Sequence, residues 1–206
     1  MMNTQDNNNT SDGSGSHTSL KITLIAVIVV VVLAATSLIG LRNGMNGKKN
    51  EVDAQWSQVE NVMQRRADLI PNLVASVQGQ MDHESKVFKD IADARRQYAA
   101  ASTPNDKLKA NDELNSKTNV LVNAVQENYP QLASSESVKT LMTQLEGSEN
   151  RISVERERYI RLVNEYNNKV TSFPASMVAG LFGFSKMDLY RAQPGSENAP
   201  KVTFHE

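Results

Sequence analysis

No cysteine occurs in the 206 residues, which excludes a disulfide framework, a thiolate metal site, an iron–sulfur cluster and a cysteine nucleophile. It also excludes anchoring through a lipid-modified cysteine. Histidine is almost as scarce, and His17, His83 and His205 lie too far apart to suggest a multi-histidine metal centre. His83-Glu84 opens like a zinc-protease helix, but Val87 stands where the second histidine is required. A charge excess is missing too: 22 Lys and Arg face 23 Asp and Glu, so nothing in the balance suggests nucleic acid, whose binders carry a basic face. Glycine is dispersed, with Gly13 and Gly15 in a polar leader rather than between a strand and a helix, and no serine sits in a G-x-S-x-G elbow. No cofactor, metal or small-molecule substrate is indicated.

What is present is unevenly distributed. Residues 1–19 are mostly Asn, Thr, Ser, Gly and Asp, without Lys or Arg, and so little apolar surface predicts a disordered tail. Ile22 to Leu41 then runs for twenty residues without a formal charge, about 30 Å as a helix, which matches a hydrocarbon core. Thr23, Thr36 and Ser37 can bond back to carbonyls of their own helix. A retained transmembrane helix over 20–42 is favoured over a cleaved signal peptide. No basic region precedes it beyond Lys21, and the apolar run continues through Leu38-Ile39. Arg42, Lys48 and Lys49 follow the span while Lys21 alone precedes it, which places the N-terminus outside and the remainder in the cytoplasm.

Beyond the span every apolar series has helical spacing and none alternates as a strand would. Val52, Trp56, Val59, Met63, Ile70, Leu73 and Val77 form a seam in which Arg66 takes one core position, and the series resumes one residue out of phase at Met81, Val87/Phe88, Ile91 and Tyr98. That shift reads as a stutter around Gly79. Pro71, flanked by apolar neighbours, predicts a kink in one long helix rather than a corner. Thr103-Pro104 opens a further helix, Asn128-Tyr129-Pro130 ends it, and a last long helix runs from about Ser135 to Pro174. Short links make neighbouring helices antiparallel. The chain therefore reads as all-α: an N-terminal transmembrane helix, then an antiparallel up-and-down helical bundle over 43–191, with a flexible tail at 192–206.

Polar residues and their neighbours at or beside the seam are the candidate site: Arg65, Arg66, Asp68, Pro71 and Asn72 early on, Asn128, Tyr129 and Pro130 before the last helix, and Glu149, Asn150, Arg151, Arg156, Tyr159, Tyr166 and Asn167 within it. They read either as a half-buried network that fixes helix register or as a recognition surface for a partner. After Pro174, Met177, Val178, Leu181, Phe182 and Phe184 form a short apolar contact segment with no charged residue between Lys169 and Lys186. It is expected to fold back on the bundle and to join an oligomer or partner surface.

The same motifs carry a family resemblance. Trp56-Ser57-Gln58-Val59, Arg65 through Leu73, Glu127-Asn128-Tyr129-Pro130 and Glu149-Asn150-Arg151-Ile152 resemble, in order, those of the LemA family of bacterial membrane proteins. Arg156, Tyr159, Tyr166-Asn167, Phe173-Pro174 and Gly183-Phe184 continue the likeness, which covers about residues 37–190. It departs at Ile160, where the family pattern has Asn, and over Met187 to Tyr190. The resemblance implies an anchored four-helix bundle with its N-terminus outside the bacterial cytoplasmic membrane. It implies no catalytic residue, cofactor or metal, and a tie to membrane or envelope organisation. A non-enzymatic scaffold or docking protein, with protein partners or copies of itself, is the expected function. A sensory or ligand-binding bundle on the outer side is the alternative.

Overall fold

A helix once nucleated lengthens at little cost per residue, and the first helix outruns its apolar run in both directions. In the computed structural model, which describes residues 15–81 and 83–189, α1 extends from Gly15 to Val77. Residues 15–19, expected to be disordered, are its first turn. Residues 1–14 and the proposed flexible tail at 192–206 lie outside the described residues. The chain divides into two units between Gly44 and Met45.

The first unit holds the one described helical stretch long and apolar enough to cross a membrane. Its aliphatic side chains find no cover in the protein: Ile22, Val30 and Leu33 are each more than 60 % exposed. The hydroxyls within it are satisfied locally, Thr36 Oγ1 donating to the Val32 and Leu33 carbonyls at 3.0 Å and Ser37 Oγ to Leu33 at 2.8 Å.

The second unit contains the rest of α1 with α2 (Ser85–Ala100), α3 (Pro104–Asn128), the single turn α4 (Pro130–Ala133) and α5 (Glu136–Thr171). No strand occurs among the described residues. The α1 seam is buried as its spacing requires, at Val52, Val59, Met63, Arg66, Ile70, Leu73 and Val77. The helix continues through Pro71. The missing N–H there deprives only the Ala67 carbonyl of a partner, while Ile70 and Leu73 on either side hold the turn in the core.

The real corner comes later, and this corrects the stutter reading. Gln78–Gln80 form one 3-10 turn, Met81 closes it with its N–H on the Gln78 carbonyl, and α2 begins at Ser85. Met81 is fully buried. A phase shift in an apolar series therefore looks alike whether one helix slips or the chain turns and buries its next residue against the same core.

The next boundaries follow local chemistry. Thr103 Oγ1 accepts the Asp106 N–H, and Pro104 supplies the first helical residue of α3. Tyr129 ends α3 with its N–H on Val125 O, and Pro130 starts α4, whose Leu132 is buried. In α2, Ile91, Ala94 and Tyr98 face the core, and Lys107 Nζ of α3 lies 4.4 Å from the Tyr98 ring centroid.

Cross-helix pairs give the register. Lys48 meets Glu165, Gln55 meets Glu155, Trp56 stacks on Tyr159 and Arg66 meets Glu149. Residue numbers rise on α1 as they fall on α5, so the two run antiparallel. Asp112 to Arg156 and Asp90 to Lys117 show the same for α3 with α5 and α2 with α3.

Candidate functional site

Arg66 is the least expected residue of the core, 3 % exposed in a row of aliphatics. Its guanidinium joins three helices: one terminal nitrogen donates to Glu149 of α5, the other to Asn115 of α3. Burial pushes its pKa down from the ordinary arginine value, and the charges of Glu149 and Asp112 pull it back up. Guanidinium is basic enough to remain a cation at neutral pH despite that loss of water, so a counter-charge at this depth is a structural requirement. Arg66 Nε has no hydrogen-bond partner among the described residues.

A second fork lies farther along α5. Arg156 donates from Nη2 to Asp112 Oδ1 at 2.6 Å and from Nη1 to Oδ2 at 3.4 Å, in the two-pronged geometry that makes Arg–carboxylate pairs directional. Gln55 completes the ladder, its side-chain nitrogen 2.7 Å from Glu155 Oε2 and 3.2 Å from the Glu155 carbonyl. Trp56 and Tyr159 pack with ring centroids 5.3 Å apart and planes tilted by 56°.

Several residues proposed from sequence do not join this network. Arg65, Asp68 and Asn72 lie on the outer face of α1, where Asp68 accepts from Gln64 one turn earlier rather than from α5. Asn150 and Arg151 are exposed beside Glu149, since each residue turns the helix by about 100° and only Glu149 and Ile152 point inward. Pro71 is half-buried. Asn128, Tyr129 and Pro130 make the α3–α4 corner, about 20 Å along α3 from Asn115.

The network's α3 members were missed. Asn111 and Thr118 are buried at the two gaps of the series Leu108, Leu114, Leu121 and Val125, and Asp112 and Asn115 flank them. The test that exposes Arg66, asking which polar residue occupies a seam position, finds Asn111 and Thr118 when applied to α3.

Tyr166 and Asn167 act elsewhere. Both are buried on α5 and strap down the chain that follows it. Tyr166 Oη donates to the Ser185 carbonyl at 2.9 Å, and the Asn167 side chain both donates to Met187 O, at 2.9 Å, and accepts Met187 N–H, at 2.8 Å. Thr103–Asn105 of the α2–α3 turn share a cleft with Val52, Asp53 and Trp56 of α1 and with Lys186–Asp188. Asn167→Leu removes two hydrogen bonds worth about 1 kcal/mol each. Amide exchange at Met187 is therefore expected to rise roughly tenfold or more while global melting moves little. Unchanged protection at Met187 would show that the strap is held by other contacts.

Between α3 and α5 an open groove has Arg66 and Glu149 at one side, with Thr118, Gln126, Lys139 and Thr143 along it. No cluster of three or more metal-ligating side chains occurs among the described residues.

The model of the LemA family matches residues 55–204, which include the whole Arg66 network and the strap. The chain belongs to the LemA family. Relatives named magnetosome protein MamQ are among its matches. One, MamQ 2 of Paramagnetospirillum magneticum, is 24 % identical over 206 aligned positions, covering 87 % of this chain and 75 % of its own. The MamQ of Magnetospirillum gryphiswaldense is 23 % identical, covering 82 % of this chain and 71 % of its own.

Proposed function

We propose that this LemA-family chain is a single-pass protein of the bacterial cytoplasmic membrane whose bundle is a docking or scaffold module without catalytic activity. The observation that carries this reading is how the bundle uses its buried charge. Arg66 and Arg156 are each bound to side chains of other helices, so they set register and stiffen the bundle. A stiff bundle with solvated outer faces presents constant surfaces to partners. The uncovered aliphatic run of α1 supports the membrane address, because such surface is stable only in lipid. Relatives named for the magnetosome are compatible with a task in organising membrane-bound structures.

The bundle belongs on the cytoplasmic side in this reading, since Arg42, Lys48 and Lys49 follow the span and basic residues resist translocation. The second reading, a ligand-binding bundle on the outer side, is favoured by the groove beside Arg66. Reporter fusions separate them. A phosphatase that folds only outside the cell is expected to be active when fused at the N-terminus and inactive after Glu206. The reverse pattern would remove the cytoplasmic docking reading in favour of the second.

A further inference from the structure

Soluble segments bury their large apolar residues and expose small ones, but the chain after Pro174 does the opposite. Ala175 and Ala179 are each 4 % exposed, while Phe173, Met177 and Leu181 are 81 %, 72 % and 85 % exposed. Ala175 and Ala179 recur at a four-residue step, as do Met177 and Leu181, so the two pairs lie on opposite sides of one nearly helical stretch, which Phe173 precedes. That stretch comprises the turns Ala175–Met177 and Gly180–Phe182. It is closed by Gly183 at φ 74° and by the Phe184 N–H on the Ala179 carbonyl at 3.0 Å, a left-handed cap that only glycine adopts cheaply. Tyr166 and Asn167 then hold the next residues to α5. The inverted face is thus fixed outward by the fold.

We infer that Phe173, Met177 and Leu181 form a lipid-contact surface that sits in the interfacial layer of the bilayer in which the protein is anchored. The inference rests on the membrane reading proposed above. Its first support is covalent reach. Lys48 Nζ lies 2.9 Å from Glu165 Oε2, which pins the end of α5 to a residue only seven positions beyond Leu41, the end of the uncharged run. Seven residues reach at most about 25 Å in any conformation, so the chain itself keeps Lys48 within that distance of the end of the uncharged run.

Size and charge also favour lipid. Three large side chains offer on the order of 450 Å², short of the roughly 800 Å² per partner of a standard protein interface. A surface already tethered to a bilayer needs no such area, because the anchor has met the cost of bringing it there. Lys169 and Lys186, both exposed, bracket an otherwise uncharged stretch, and basic residues near an anionic leaflet add attraction. This is the arrangement of an interfacial element: apolar side chains outward, cations at its edges.

The absence of native cysteine makes the test direct. Full-length Phe173→Cys, Met177→Cys and Leu181→Cys, with Val120→Cys and Val154→Cys as exposed controls on α3 and α5, are labelled with an environment-sensitive fluorophore. Each is reconstituted into vesicles of phosphatidylcholine and phosphatidylglycerol. Lipids brominated near the headgroup are expected to quench about half of the emission at 173, 177 and 181 and little at 120 or 154, given an insertion depth of about 5–10 Å. Combining Met177→Cys with Phe173→Ser and Leu181→Ser should abolish that quenching while Trp56 emission, a reporter of the fold, stays unchanged. Protein that floats with the vesicles but shows no more quenching at the three positions than at the controls overturns the lipid surface alone. Blue-shifted emission that depends on protein density and not on bromine overturns it in favour of a second copy. Protein that fails to float with vesicles overturns the membrane reading and this inference together.

Discussion

Replacing Glu149 with alanine is expected to destabilise the bundle by about 3–5 kcal/mol, the usual cost of leaving a buried charge without its partner. For a unit of this size that lowers the melting temperature on the order of 10 °C. The asymmetry of the pair makes the prediction sharp. The Arg66 side chain is 4 % exposed and that of Glu149 is 35 % exposed. Without Glu149 the guanidinium keeps only Asn115, the charge of Asp112 and the water that the groove beside it admits. Without Arg66 the carboxylate can hydrate. Arg66→Met, which keeps most of the stem volume, should therefore cost far less, about 1 kcal/mol, chiefly from the orphaned Asn115 amide. Trp56 is the single tryptophan and packs on Tyr159 inside the bundle, so its fluorescence follows this unit alone during melting. Equal losses for the two variants, or a larger loss for Arg66→Met, would mean that Arg66 does not depend on Glu149 for its counter-charge.

The second large effect belongs to the anchor. Thirteen Leu, Ile and Val residues lie between Ile22 and Leu41, and each favours insertion by about 0.3–0.6 kcal/mol, whereas one charge at the helix centre opposes it by about 2.5–3.5. Val30→Lys with Val31→Asp should then cancel most of the driving force. The wild-type protein is expected to stay with the membrane through alkaline carbonate extraction, and the double variant to be released. Carbonate strips surface-bound protein, so contact by the segment around Leu181 does not mask the result. Wild-type protein in the soluble fraction, or a mature N-terminus near Thr36, would refute a retained span.

Local periodicity was enough to find the helical stretches, though not the break between α1 and α2, because it is a property of one helix at a time. The uncharged run at 22–41, the Thr103-Pro104 start and the Tyr129-Pro130 corner can be read from neighbours within one turn. The all-α class and the family follow from the same features. Arg66 stands out because a charge interrupts an aliphatic series.

What the tertiary structure decided is which levels of different helices meet. On sequence grounds Arg66 and Asp68 are equally expected to face Glu149 or Arg151 across the bundle. Asp68 lies outward on α1, while α5 brings Glu149 inward at the height of Arg66 and α3 brings Asn115 there. The corner at Gln78–Glu84 is likewise invisible to phase, since Met81 enters the same core whether the helix slips or turns. The apolar segment after Pro174 could be recognised by composition, but the side it hides could not. Composition ranks Phe173, Met177 and Leu181 above Ala175 and Ala179 for burial. The fold buries the alanines instead, with Tyr166 and Asn167 holding the chain beyond to α5.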